Sequence, residues 1–571
     1  MQFRVKATTV EKILLPYFLQ VRNKKATKSL KTPAQPASGQ STRQSSAGLL
    51  LNLLLILLVL FVHLHNLEHS PPGAYVDESS IGYNAYSILK TGADEHGVTM
   101  PLFFKAFGEY KNPIFIYSLV PLIKVFGLSV WTIRLGAALF GLAMALVMGL
   151  IAKESAGQKT AWVAGFALSA LTPWLFTLSR ITFEVISLPF LIALGWWSWL
   201  RGTKSHSVPW FLLSWLSWGL SLFAYSTGRL MIPILVLVLI ACYVRELKAS
   251  WTPCAIGSIP FIICLALLLS WTTQNPGTLT ARFEEISIWN DHPNLPTAAA
   301  RFLGNYLSCL SPQFLFLRGD PNLRHHTGQG GMLFLFSFPL LLAGIVCAWQ
   351  KRQEPSERFM LIAFFLFPLA ASLTKDSNHA LRTANALPFV IILIFWGAIK
   401  LREWLSDKRL LTAFFAAFAI LEMGFFYIDY FHTYPIRARG WFNAGLPEAL
   451  AVVFEQKRGE IYYSPMAFRD EGLAVRQPYI QFLFFGKLDP AVYQKNGLAG
   501  FNIHAYREDL SLPAGSLLLT KDGEEVFTAS SSGLVLAYPA QPPAASELVG
   551  HITIPSPGVP KPPSYRIYRV P

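Results

Sequence analysis

GLLLNLLLILLVLFVHLHNLEHSPPGAYVDESSIGYNAYSILKTGADEHG, residues 48–97, holds together the two features from which the rest is read. Its first part, roughly 48–62, is an apolar run of the kind that crosses a bilayer as a helix. A short way beyond, where the chain leaves the bilayer, Asp77 and Glu78 sit side by side. Charge beside lipid is costly and is usually retained for a task. The pair therefore points to chemistry, either activation of a hydroxyl or the holding of a cation, on a substrate that arrives from the membrane. The competing explanation is that the two carboxylates cap the helix that follows.

The remainder of the chain has the same character. It is 53% hydrophobic and only 14% charged over 571 residues, with mean hydropathy +0.39, too apolar for one soluble globule. Apolar stretches of roughly 17–22 residues recur without the alternation of barrel strands. The net charge of +15 would suggest nucleic acid in a soluble protein. Here Lys and Arg fall in the breaks between apolar stretches, as a topology signal, so no nucleic-acid partner is expected. Residues 1–47 read as a disordered basic cytoplasmic tail, and the first apolar run reads as a retained anchor because no small-residue cleavage site precedes His63. The five cysteines show neither metal-ligand spacing nor pairing and read as packing residues.

Sidedness depends on Pro113 to Gly127. If this segment crosses, the basic breaks at Lys153/Lys159, Arg201/Lys204, Arg245/Lys248, Lys351/Arg352 and Lys400/Arg402 all fall outside, against the positive-inside tendency. If it lies along the interface, they fall inside. Taking it as a juxtamembrane helix gives spans near 48–62, 133–152, 160–178, 185–200, 208–224, 229–244, 252–271, 332–349, 359–374, 383–399 and 410–428, about 11 in all. The expected fold is thus a polytopic α-helical membrane module over 48–432, with outer loops 68–132 and 272–331. Short β-rich runs and one helical pattern from 433 to 571 predict a small α/β or α+β domain on the extracytoplasmic side.

This topology brings Asp77, Glu78, Glu109, Lys111, Arg180, Glu184, His379 and Arg382 to one face. Ile81, Ala85, Ile88 and Leu89 share a helical face, which predicts a short amphipathic helix on the membrane with Asp77 at its N-terminal side. Arg180 and Glu184 in SRITFE are four apart, predicting one face of a helix end: a surface ion pair, or a phosphate ligand and a second carboxylate. His379 and Arg382 in HALR stand three apart at the end of a span, where Arg382 could also snorkel to headgroups. In RGDPNLRHHTGQGG, residues 318–331, Asp320, Arg324, His325 and His326 are candidates for substrate contact. A metal is not read there, because no carboxylate stands at ligand spacing from the histidines.

PPGAYVDESSIGYNAYSILKTGADEHG, FGEYKNPIFIY, SRITFE, YSTGR, GDPNLRHH and HALR together resemble bacterial members of glycosyltransferase family 39, within the GT-C superfamily. The resemblance covers roughly residues 48–430. It implies a GT-C fold and a sugar transferase that draws on a polyprenyl-phosphate-linked donor. It makes Asp77, in the Asp77–Glu78 pair, the catalytic carboxylate and Glu184 a second one, a position where many relatives carry Asp. Glu109 and Lys111 match an acidic-basic element before the second interfacial helix. Physically, Lys111, Arg180, His379 or Arg382 would bind the donor phosphate and neutralise charge on it as it departs. Asp77 would take the proton of the attacking hydroxyl with inversion, its basicity raised by desolvation and by Glu78. The expected partners are that donor, a hydroxyl-bearing acceptor (protein, lipid or glycan) and membrane lipid. No Walker A or dinucleotide loop is present, and neither a cofactor nor a metal is demanded. The competing function is a transporter or flippase of a lipid-linked saccharide, which predicts inverted repeats and midplane polar groups instead.

Overall fold

The computed structural model describes residues 46–571 except 159–160, 377, 406–407, 457–458, 465–476, 506–511, 515, 523–525, 531–532, 538–544, 555–563 and 571. The basic tail falls almost wholly outside the described residues. Residues 53–571 form one compact unit, and it is mostly helical.

Helices occupy each stretch predicted to span. Among the described residues five are long and apolar enough to cross a membrane alone: Val130–Ala156, Glu184–Ser205, Pro355–Ser372, Ala384–Leu405 and Arg409–Phe442. Gly228–Cys242 and Val244–Gly257, bent by 111° at their junction, make a sixth if counted as one. By this measure the eleven crossings are not reached, and the sequence shows part of the reason. Proline divides or starts several apolar runs: Pro173 opens a new helix after Ala161–Leu171, and Pro260 opens Ile259–Gln274. Pro113–Phe126 has 14 residues and reaches about 21 Å, short of a roughly 30 Å hydrocarbon core.

The outward faces are apolar. Leu410, Phe414 and Phe425 on Arg409–Ile428 are 86%, 71% and 73% exposed, as lipid-facing side chains are. Inside, Ser337–Gln350 and Leu387–Leu405 approach so closely that a Cβ on Gly397 would meet the Leu340 carbonyl oxygen and one on Gly344 the Leu393 carbonyl oxygen. Small residues at such crossings give membrane helices their van der Waals contact.

The C-terminal part carries a five-stranded mixed sheet in the spatial order Ile503–Ala505, Ile461–Tyr463, Leu517–Asp522, Ser564–Arg569, Glu547–Thr553. Ile461–Tyr463 pairs in parallel with both its neighbours, and the last three strands are antiparallel. Leu446–Gln456 packs Leu450 and Val453 into a separate buried cluster with Ile461, Leu517, Leu519 and Ile567.

The predicted helix after the first apolar run is present as Val76–Thr91, with Asp77 and Glu78 in its first turn. It is no surface helix, however. Tyr83 and Asn84, expected away from the apolar face, are fully buried. Tyr479–Phe485 and Pro490–Asn496 pack on it. Ser79 donates to Gln481 at 2.9 Å, Tyr83 to the Leu488 carbonyl at 3.0 Å, and Gln494 to Ser87, Thr91 and the Asp94 carbonyl at 2.8–3.1 Å.

Candidate functional site

Successive residues on a helix are rotated by about 100°, so Asp77 and Glu78 cannot face the same space. Asp77 turns toward the hairpin residue Lys111. Its Oδ1 accepts from the Lys111 ammonium at 2.6 Å, its Oδ2 accepts from the Tyr75 hydroxyl, and its side chain keeps 22% exposure. Burial pushes the Asp77 carboxyl up, but the Lys111 ammonium and the hydrogen bonds from Lys111 and Tyr75 hold it below the usual carboxylate range. The sequence expectation of a raised pKa is therefore corrected: the neighbour that matters is a cation, and Glu78 faces elsewhere.

Glu78 points into the bundle. Arg134, from Val130–Ala156, donates to both its oxygens at 2.9 Å, and the backbone N–H groups of Thr182 and Tyr75 add bonds at 3.0 and 3.2 Å. Both side chains are fully buried. The remaining Arg134 donors reach the carbonyls of Leu67, Pro71 and Gly73 at 3.0, 2.6 and 2.9 Å. A carboxylate with all its acceptor sites filled by a buried guanidinium and backbone is a structural anchor. That occupation keeps Glu78 out of the chemistry expected of it.

Lys111 and Glu109 lie on the strand Glu109–Lys111, paired with Phe104–Ala106 in a small hairpin. Alternation along the strand sends both to one side, an arrangement that spacing alone did not reveal. Burial works against the Lys111 ammonium, but the Asp77, Glu109 and Glu184 carboxylates raise its pKa. Burial raises the Glu109 carboxyl despite Lys111, and Glu109 meets Arg282 at 3.6 Å. Next in sequence, Asn112 precedes the proline that opens Pro113–Phe126. Its backbone and side-chain N–H groups donate to Glu184 at 2.6 and 2.7 Å, and its side-chain oxygen accepts from Arg229 at 2.5 Å. Glu184 is thereby tied to the hairpin that carries Lys111. Tyr225 lies near these groups: burial pushes its hydroxyl pKa up, Arg382 counters, and Glu184, Glu109 and Asp77 raise it further.

Arg180 and Glu184 do not share a helix face. The helix Pro173–Leu178 ends before Arg180, residues 179–183 turn, and Glu184 starts a short 3-10 helix leading into Ser187–Ser205. Arg180 is fully buried and donates to the carbonyls of Val62, His63, His65, Asn66 and Ser70, closing the end of the first apolar helix. The terminal nitrogens expected to meet a phosphate are engaged by these carbonyls. Arg382 binds Thr374 at 2.8 Å and the Asp376 carbonyl at 3.2 Å. Arg324 stacks over Tyr75 at 4.4 Å and Trp441 at 5.0 Å. His325 Nδ1 hydrogen-bonds the Asp320 carboxylate at 2.9 Å, so a carboxylate does stand against a histidine of this loop, correcting the spacing argument. His379 comes up beside His325, ring centroids 4.6 Å apart.

The sequence reading missed Tyr75, Asn112, Arg134, Tyr225 and Arg229. An arginine inside an apolar run, as at Arg134, is itself a signal. The role of Asn112 arises from tertiary contacts with Glu184 and Arg229.

Residues 111–271 match the dolichyl-phosphate-mannose-protein mannosyltransferase family. Among solved structures, ArnT from Cupriavidus metallidurans in the apo state aligns with TM-score 0.50 at 14% identity over 84% of this chain and 93% of that one. The same protein bound to undecaprenyl phosphate gives 0.47 at 15% identity over 83% and 93%. The Archaeoglobus fulgidus oligosaccharyltransferase complex with Zn and sulfate gives 0.45 at 13% identity over 73% and 60%. No curated protein sequence matches the chain. The chain thus carries, over a segment that begins at Lys111 itself, a likeness to the dolichyl-phosphate-mannose-protein mannosyltransferases, and it shares its fold with apo ArnT.

Proposed function

We propose that the chain transfers a sugar from a polyprenyl-phosphate-linked donor to a hydroxyl acceptor at the cavity between Val76–Thr91, the hairpin and Glu184. The observation that carries this reading is the Asp77–Lys111 pair, 2.6 Å apart with Asp77 partly exposed, and Glu109, Glu184 and Tyr225 gathered around it. An ammonium and a carboxylate in contact are the two groups that displacement at an anomeric carbon needs. Lys111 receives the donor phosphate, with Arg382 as a second cation facing the same cavity. Asp77 accepts the proton from the attacking hydroxyl as the acceptor oxygen bonds to C1 from the opposite face. The bond from C1 to the phosphate oxygen breaks, the electron pair leaves on the phosphate, and the configuration inverts.

The resting pair also supplies a trigger. Asp77 is a weak base while Lys111 holds it. Once a phosphate shares Lys111, the carboxylate loses part of that stabilisation and its basicity rises when the acceptor is in place. Glu184 orients the hairpin through Asn112. Specificity between hexose and pentose belongs to side chains around the donor sugar. The positive-inside pattern supports a bacterial cytoplasmic-membrane location, the N-terminus inside and the cavity and C-terminal domain facing out.

The test is transfer by the full-length protein in detergent or liposomes, using a panel of polyprenyl-phosphate hexoses and pentoses radiolabelled in the sugar. Product is separated from lipid donor by extraction. Transfer that depends on Asp77 and Lys111 supports the reading; equal transfer by Asp77→Asn, folded as judged by its melting curve, overturns it.

A further inference from the structure

One cluster lies outside the cavity chemistry just described. Asp320 and His325 come from the loop after Gln313–Leu317, and His379 from the loop before Ala384–Ala386. One ligand atom from each lies within 4.8 Å of the others. Asp320 and His325 are 2% and 5% exposed.

The ordinary explanation is a buried Asp–His hydrogen bond. It accounts for His325, whose Nδ1 meets Asp320 Oδ2 at 2.9 Å, but leaves His379 unexplained. Among the described residues the buried His379 Nδ1 atom has no hydrogen-bond partner, a state that buried polar atoms rarely keep. Its ring lies against that of His325, tilted by 37°, and Asp320 is the acid that joins them among the described residues. The carboxylate is also aimed: its Oδ2 accepts the Ala380 N–H at 2.7 Å and its Oδ1 the Asn322 N–H at 2.8 Å. Backbone donors from both loops thus fix one acid between two imidazoles. That is the outer support given to metal-ligating carboxylates.

We propose that Asp320, His325 and His379 bind one divalent cation of the zinc class, clasping the two loops together. Two imidazole nitrogens and one carboxylate oxygen suit Zn²⁺ or Co²⁺ and leave a fourth position for water. The proton shared by His325 and Asp320 is released on binding, and the ligand atoms close by about 1 Å to reach tetrahedral spacing. The clasp stands one aromatic layer from the cavity. His325 packs on Phe183 at 5.5 Å, Phe183 on Tyr75 at 5.9 Å, and Tyr75 bonds Asp77. Its role is to position Arg324, next to His325, and Arg382, three residues after His379. The inference stands whether or not the transfer reading holds.

The test uses the full-length protein purified through a tag without histidines, stripped by chelator and titrated with Co²⁺ and Zn²⁺. The expected results are one equivalent of bound metal, the visible absorption of four-coordinate Co²⁺, and a melting midpoint that rises with Zn²⁺. His379→Gln should keep the metal-free melting midpoint and lose the Co²⁺ band and the Zn²⁺ response; Asp320→Asn should weaken both at least tenfold. Wild-type protein with no Co²⁺ band and no Zn²⁺ response overturns the site. So does undiminished binding by His379→Gln that itself melts as the wild type does, because the metal then sits elsewhere.

Discussion

Exchanging each of the two neighbouring carboxylates for its amide should give opposite outcomes. Glu78 accepts two bonds from Arg134 and two from backbone N–H groups, with both side chains fully buried. In Glu78→Gln the guanidinium loses its counter-charge, and the amide NH₂ is turned toward donors. Breaking a buried pair from one side costs about 3–5 kcal/mol. Arg134 keeps carbonyl acceptors at Leu67, Pro71 and Gly73, which argues for the lower end. A loss of ~3 kcal/mol lowers the melting midpoint by roughly 5–10 °C, read by thermal unfolding in detergent with intrinsic tryptophan fluorescence. Asp77 is partly exposed, and Lys111 keeps Glu109 and Glu184 nearby. Asp77→Asn should therefore cost less than Glu78→Gln, while transfer falls by roughly 10²–10⁴-fold through loss of the base. A Glu78→Gln protein that melts with the wild type, alongside an Asp77→Asn protein that still transfers, would refute the division of labour between them.

Replacing Lys111 by Met frees Asp77 from the cation that holds its pKa down. The acid limb of transfer, where falling pH protonates Asp77, should move to higher pH, and KM for the lipid donor should rise; a limb that stays in place would separate Asp77 from the pH profile. Glu95 is 1% exposed, and burial pushes its carboxyl to about 8. The unfolded chain ionises Glu95 near its usual value while the folded chain keeps the proton, so stability is full at low pH and is lost as pH rises toward 8. The slope is at most about 1.4 kcal/mol per pH unit, and Glu95→Gln should flatten the melting midpoint against pH over that window. Arg180→Met leaves five carbonyls of the first loop without their donor. It should lower thermal stability by more than about 2 kcal/mol; an unchanged melting midpoint with a raised donor KM would restore Arg180 as a phosphate ligand.

The helices were legible because hydropathy and periodicity report them directly; Asp77 and Lys111 were legible because charge beside apolar sequence is rare. What the sequence hid was direction. Asp77 and Glu78 look alike as a dipeptide, and only the rotation of Val76–Thr91 against Val130–Ala156 sends one to the cavity and the other to Arg134. Arg180 and Glu184 have helical spacing, but the chain turns between them, and the carbonyls that Arg180 satisfies lie more than a hundred residues earlier. Asp320, His325 and His379 meet across two loops, and a spacing rule that looks within one motif misses a ligand from another. The crossing count was the least secure, since proline-broken helices such as Ala161–Leu171 and Pro173–Leu178 read as one apolar run.

The helix that presents Asp77 is gripped from two directions, and this gives the C-terminal sheet a physical connection to the cavity. On one side, Glu78 and Arg134 fix its first turn to Val130–Ala156. On the other, Gln481 bonds Ser79, two residues from Asp77, and reaches the Ala74 carbonyl at 3.4 Å. Gln494 and the Leu488 carbonyl hold the remainder of the helix. A helix fixed only at its first turn can pivot about that turn, which would carry Asp77 relative to Lys111 on the separate hairpin. A second set of bonds along its length removes that freedom. Since a displacement near 1 Å at a reacting group can cost about a hundredfold in rate, Gln481→Ala should lower transfer while leaving the Glu78–Arg134 anchor and most of the melting behaviour intact. The same substitution with unaltered transfer would show that the bundle alone sets the position of Asp77.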